Sequence, residues 1–303
     1  MKKIFLGNSE LEVSQLCLGT MYFGSKVDER TSFKILDAYL DHGGNFIDTA
    51  NNYAWWIALG NESENLIGKW IAQRNNREDF ILATKIGSKP VNLPSQEYQR
   101  EGLRKDTIIK AVEDALKRLN TDSVDLCYIH ADLEEYPIEE RLEALEILQT
   151  QGKIRNKGCS NITSKRVELS EKVNAEKEYS NFKAVQQKYS YLLPNEVENA
   201  GTLKILNQDL LETSKTLNLS ILTYSVLLSG AYSRSWEEMS ADYISEENKK
   251  KFRLMEDGAI ALGCSNSQWV LRWVMNQSDR IIPLIAASSL DQLKENIGAL
   301  AIE

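Results

Sequence analysis

Eight short apolar or β-branched runs recur along this chain, each followed by a stretch with helical spacing. No other feature of the sequence restricts its fold as strongly. The runs are Ser14–Leu18, Asn45–Asp48, Phe80–Thr84, Val124–Ile129, Ile154–Cys159, Ala184–Gln186, Leu219–Thr223 and Ile281–Pro283. Between them, Phe33, Ile35, Leu36, Tyr39 and Leu40 give Arg30–His42 one apolar face, and Ile108, Ile109, Val112, Leu116 and Leu119 do the same for Asp106–Leu119. Asp106 is placed to cap that second helix, because its carboxylate can accept a free backbone N–H of the first turn. A further helix starts at Pro137 and runs to Thr150, with Gly152 as its C-cap. Strands alternating with helices form parallel sheets with crossover helices. Eight such units predict a closed (β/α)8 TIM barrel, which typically needs about 250 residues. An open doubly wound sheet shares the pattern, but no GxGxxG follows the first run, as the usual dinucleotide-binding open sheet requires. No linker divides the chain, so residues 1–303 are expected to form a single domain.

Two segments depart from the alternation. Lys2–Phe5 and Leu11–Val13 flank Gly7-Asn8 and predict a β-hairpin ahead of the barrel. From Leu227 to Ala261 the chain turns polar and aromatic, which predicts a loop and a helix inserted after the seventh strand. A long loop in a compact domain is commonly functional.

Charge and composition narrow the partners. A net charge of −8 argues against a broad nucleic-acid or anionic-membrane surface. The apolar run at the N-terminus stops at Gly7, too short for a secretory h-region, and no stretch approaches a membrane span. A cytoplasmic protein, monomer or homo-oligomer, is expected. Cys17, Cys127, Cys159 and Cys264 are scattered and suit reduced thiols. With only His42 and His130, a multi-histidine metal site is not expected.

Polar residues stand at or near the ends of three predicted strands: Asp48 on the second, Lys85 on the third and His130 on the fourth. Tyr53 follows Asp48 by five residues. Singly, each has a plain structural explanation: a turn aspartate, a solvated lysine, a packed loop tyrosine, a satisfied core histidine. In a TIM barrel, however, the C-terminal strand ends share one face, so the four would converge there. Their chemistry is coherent. Carbonyl reduction needs a hydride, which no side chain supplies, and a proton for the developing alkoxide. A phenol is a weak acid–base group near neutrality, and a neighbouring ammonium is expected to lower its pKa. A buried ammonium needs a carboxylate to stay charged, and an imidazole can orient the carbonyl.

The stretches LCLGTMYFG, GGNFIDTANNY, NESENLIGKW, FILATKIG, VDLCYIHAD, KIRNKGCSN, VQQKYSYL, TYSVLLSG and SSLDQLKENIGAL resemble, in order and spacing, the aldo-keto reductases, including the branch of potassium-channel β-subunit-like reductases. The resemblance implies an NADPH-dependent oxidoreductase acting on a small-molecule aldehyde or ketone. It implies Tyr53 as proton donor, Lys85 and Asp48 as the groups that tune it, and His130 as the residue that orients substrate. It further implies cofactor contacts from Gly19, Thr20 and Met21 after the first strand, from Asp48, from Ser160 and Asn161, and from Gln187. Tyr224 would stack on the nicotinamide; Ser225, Leu227, Ser229 and Gly230 would cover the pyrophosphate; Ser288, Gln292, Glu295 and Asn296 would hold the adenosine end. The sequence departs from the family pattern at Ala286, where a glycine is common. Ala287 and Gln292 stand where many members place a cation for the 2′-phosphate, so NADH is the alternative cofactor. Ala54 replaces a glycine after the tyrosine, and Trp55 and Trp56 follow it as an apolar wall for substrate. Two other functions fit parts of the pattern: a cofactor-binding regulatory subunit, and a Schiff-base aldolase using Lys85. The substrate loops are expected around Trp55-Trp56, Ala131–Tyr136 and Tyr232–Tyr243.

Overall fold

A computed structural model of the chain describes residues 1–57, 60–92, 99–195 and 203–302. Lys3–Phe5 (β1) pairs antiparallel with Glu12–Ser14 (β2), giving the expected hairpin. Eight parallel strands then close a barrel: Cys17–Gly19 (β3), Phe46–Asp48 (β4), Ile81–Ile86 (β5), Val124–Ile129 (β6), Ile154–Ser160 (β7), Ala184–Lys188 (β8), Ser220–Tyr224 (β9) and Ile281–Ile285 (β10). Their order is β10-β3-β4-β5-β6-β7-β8-β9, with β10 bonded to both β3 and β9, so no strand edge is left open. The predicted first barrel strand was Ser14–Leu18. Ser14 instead closes the hairpin, and the barrel strand starts three residues later at Cys17.

Helices Glu29–Asp41 (α1), Glu62–Arg74 (α2), Lys105–Leu119 (α3), Ile138–Thr150 (α4), Ser164–Glu176 (α5), Gln208–Thr216 (α6), Glu246–Leu262 (α7), Asn266–Met275 (α8) and Leu290–Gly298 (α9) surround the barrel. In α3 the cap differs from expectation. Arg104 occupies the N-cap without a side-chain capping bond, and Asp106 sits inside the first turn, where its charge favours the positive end of the helix dipole. Pro137 precedes α4, and Gly152 lies just past the Gln151 cap with φ 72°. The segment after β9 folds as three short 3₁₀ turns, starting at Leu228–Ser233, followed by α7.

Strand parity organises two cores. Phe46, Ala83, Leu126, Tyr128, Ala184, Leu222 and Ile282 point into the barrel, and Leu6 and Val13 of the hairpin join them. Residues of opposite parity, such as Ile47, Leu82, Cys127 and Val185, pack outward against the helices. Gly158 on β7 leaves room for the interior ring of Tyr128, since a Cβ there would stand 2.7 Å from it. Among the described residues, no helix is long and apolar enough to cross a membrane.

Candidate active site

The inward parity that fills the barrel floor with apolar side chains delivers polar ones two residues later. Phe46 is followed by Asp48, Ala83 by Lys85, Tyr128 by His130, Gly158 by Ser160, Ala184 by Gln186 and Leu222 by Tyr224. All six polar residues therefore reach the same C-terminal mouth. Asp48 and Lys85 are 0% and 1% exposed. The Lys85 ammonium donates to Asp48 Oδ1, to the Thr49 carbonyl at 2.8 Å and to the Tyr53 hydroxyl at 2.8 Å. Gln186 Nε2 holds the other carboxylate oxygen of Asp48 at 3.0 Å. The ring of His130 meets that of Tyr53 edge-on, with centroids 6.2 Å apart. The four expected residues thus meet in one cluster.

Electrostatics within the cluster are dominated by burial. Burial pushes the Tyr53 phenol up and Lys85 pulls it down; burial wins, and the pKa is pushed up to about 12. The expected net lowering does not occur in the chain alone. Burial also opposes the Lys85 ammonium, but Asp48 and Tyr53 outweigh it and its pKa rises. Burial raises the Asp48 carboxyl more than Lys85 lowers it. His130 is held well below the usual imidazole range, by burial first and then by Lys85 and Arg100. It is neutral at physiological pH, and its buried Nδ1 has no hydrogen-bond partner among the described residues.

The other expected residues fall into two groups. One group lines the mouth. Asn161, left-handed at φ 51°, donates to the His130 carbonyl at 2.9 Å and to Ser160 Oγ at 3.1 Å, and accepts from the Tyr224 hydroxyl at 2.6 Å. That amide ties β6, β7 and β9 together. After β9, Ser225, Leu228 and Ser229 all have positive φ, as does Gly230, so the backbone there is bent by residues that disfavour it. Met21 is exposed beside Gly19.

The second group has its side-chain polar atoms bonded to the chain itself. Thr20 Oγ1 binds the Asp48 carbonyl and Ser63. Gln187, expected as a carboxamide contact, points outward: its Nε2 donates to the Ile162 carbonyl and its Oε1 accepts from the Ile162 amide. Gln186, which sequence reasoning passed over, takes the inward position, and counting parity from Ala184 would have found it. Glu295 accepts from Ser265 at 2.6 Å, Asn296 donates to the Ala286 carbonyl, and Gln292 Oε1 accepts from Ser288. Ser289 caps α9 through the Gln292 amide. Trp56 belongs to neither group: it packs edge-on against Tyr22 at 5.9 Å, with Lys26 over both rings, and its buried indole N–H has no partner among the described residues. Tyr232 and Tyr243, expected in a substrate loop, are buried. The Tyr232 hydroxyl bonds Ser190 and the Leu192 amide, so that stretch packs against the loop after β8.

Comparison with known proteins places the barrel in a family. The sequence model of the Aldo/keto reductase family matches residues 15–303, and the chain belongs to that family. It is 31% identical to the uncharacterized oxidoreductase YrpG of Bacillus subtilis, over all of this chain and 92% of the relative. It is 29% identical to the norsolorinic acid reductase stcV of Emericella nidulans, over 97% of this chain and 76% of the relative. Among solved structures, the thermostable aldo-keto reductase Tm1743, crystallised with the inhibitor epalrestat, superposes with a TM-score of 0.75. The two are 27% identical over 100% of this chain and 95% of that one.

Proposed function

We propose that residues 1–303 act as one barrel domain that reduces an aldehyde or ketone to the alcohol, with Tyr53 as proton donor and NADPH as hydride source. The observation that carries this reading is the 2.8 Å contact between the Tyr53 hydroxyl and the Lys85 ammonium, itself paired with Asp48, at the barrel mouth. When bound, the dinucleotide supplies the hydride. The residues present suit such a group. An unpartnered buried imidazole nitrogen, the half-buried Tyr224 ring, the bent backbone after β9 and the N-terminus of α9 follow one another around the rim. A helix N-terminus offers free N–H groups to a phosphate. Ser160, Asn161, Tyr224, Ser225, Leu227, Ser229, Gly230 and Ser288 are assigned to that grip, and Gln186 is added to it.

The chemistry follows from the cluster. Raised to about 12, the Tyr53 phenol is protonated at neutral pH and available as an acid. As negative charge develops on the substrate oxygen, Tyr53 gives up its proton, and the Lys85 ammonium stabilises the phenolate left behind. Asp48 keeps that ammonium charged, which also disfavours the Schiff-base alternative, since imine formation needs a neutral amine. Neutral His130 offers a ring nitrogen to the carbonyl oxygen and fixes its direction. Trp55, Trp56 and Tyr22 favour a flat apolar substrate, in keeping with a relative named as reducing norsolorinic acid. A second cofactor reading, NADH, is favoured by one observation: the first turn of α9 carries no lysine or arginine. Action in the cytoplasm completes the proposal. Assaying a panel of aromatic and aliphatic aldehydes, ketones and sugars with NADPH and NADH in parallel tests it. Absence of turnover with every pair would overturn the reading.

A further inference from the structure

Glu101 lies outside every strand and helix, on the chain that leads from β5 toward α3, and the proposed reaction does not use it. One oxygen of its half-buried carboxylate, Oε1, accepts from the Gly87 amide at 2.7 Å, from Asn51 Nδ2 at 2.8 Å and, at 3.4 Å, from the Lys89 amide. These donors are well placed. Gly87 is two residues beyond Lys85, and Asn51 is two residues before Tyr53. Asn51 is 1% exposed, and its backbone N–H donates to the Lys85 carbonyl at 3.1 Å. Glu101 is itself held in register: its amide donates to the Lys89 carbonyl at 2.8 Å, and Arg100 pairs antiparallel with Pro90. A carboxylate suits the position, because charge strengthens each of several hydrogen bonds converging on one oxygen.

We propose that Glu101 is a positioning residue: by gripping Asn51 and Gly87 with one oxygen, it sets the turn that carries Tyr53 against the strand end that carries Lys85. The inference rests on the reaction proposed above. It explains why a residue 48 positions beyond Tyr53 in sequence bonds to both flanks of the reacting pair. Loss of the grip lets the phenol drift from the ammonium while the barrel, whose core lies elsewhere, stays intact.

The experiment is a mutant cycle, with 4-nitrobenzaldehyde and NADPH as probes. Glu101→Ala is expected to lower kcat by about 10²-fold, the scale of loss for a small misplacement of reacting groups. KM and the cofactor Kd, read independently from quenching of tryptophan fluorescence, stay close to wild type. Glu101→Gln keeps one acceptor without its charge and recovers about tenfold of that loss. The basic limb of the pH profile moves to higher pH, because a phenol further from Lys85 holds its proton more tightly. Asn51→Ala added to Glu101→Ala costs no more than the single change, since both act through one contact. Undiminished kcat in a folded Glu101→Ala, or effects of the two changes that simply add, would overturn the role. If Glu101→Ala does not fold, Glu101→Gln is read alone: an approximately tenfold loss of kcat at unchanged KM supports the role, and full kcat overturns it. Tyr53→Phe, run alongside, separates the two levels. A fully active Tyr53→Phe overturns the reaction assignment itself, whereas an inactive one beside an unaffected Glu101→Ala overturns only the positioning role.

Discussion

The two sides of the barrel mouth are built on different principles. On the side of β4, β5 and β6, side chains at or just beyond the strand ends bond or pack on one another: Lys85 to Asp48, Lys85 to Tyr53, and His130 on Tyr53. On the side of β9, β10 and α9, side chains mostly bond the chain's own backbone and caps. Gln292 braces Ser288, Glu295 holds Ser265 and Asn296 holds the Ala286 carbonyl. There the features facing outward are left-handed backbone and a helix N-terminus. On the proposed reading, proton transfer demands particular functional groups at fixed distances, whereas a long phosphorylated ligand can be gripped by N–H groups that any residue supplies. Substitutions on the first side should therefore act foremost on kcat, and those on the second on cofactor affinity.

The largest expected effect is at Tyr53. Replacing it by phenylalanine removes the hydroxyl and with it the transferable proton, and kcat should fall by about 10²–10⁴-fold with cofactor Kd unchanged. Loss of cofactor binding instead would blur the division between the two sides. Lys85→Met leaves the buried Asp48 carboxylate unpaired. A destabilisation of about 3–5 kcal/mol is expected by urea unfolding, together with loss of turnover. Next comes a direct contrast between adjacent glutamines. Gln186→Ala releases Asp48 and should lower kcat, while Gln187→Ala loosens only Ile162 and should change stability more than rate; equal kcat losses in both would contradict the parity argument. Ser289→Ala, on the second side, removes the cap of α9 and should cost about 1 kcal/mol of stability, with a weaker cofactor Kd and little change in kcat.

The most gradual effect is a pH slope. Because the folded state depresses His130 below its unfolded value, the unfolded chain takes up the proton first as pH falls through about 6.5. His130 therefore destabilises the fold progressively below that pH, by up to about 1.4 kcal/mol per unit until the folded group titrates. Urea midpoints of wild type and His130→Asn between pH 7.5 and 5.5 should diverge with that sign. Parallel curves would place His130 in a more solvated setting than the structure gives it.

Legibility followed the same division. All eight barrel strands, the N-terminal hairpin and the inserted helix could be read from periodicity, because burial on two faces or one leaves a pattern of period two or 3.6 in the chain. Asp48, Lys85 and His130 were legible because strand ends share one face of the barrel. The hydrogen bonds that Gln187 and Glu295 make within the chain were not legible in the matching stretches, since a residue's match to a motif does not say which neighbour satisfies its hydrogen bonds. The sign of the Tyr53 shift also escaped the sequence: a charge next in space can be guessed, but the opposing cost of desolvation depends on how completely the site is enclosed.

The amino-acid order by itself determined the βα alternation, the parity of each strand and hence the set of polar groups delivered to one end of the barrel. Only closure in three dimensions decided their distances, the balance between burial and charge, and the hold of a remote carboxylate on both flanks of the reacting pair. Periodicity is a local property of the chain. Hydrogen-bond satisfaction and desolvation are properties of the packed whole, summed over neighbours that lie far apart in sequence.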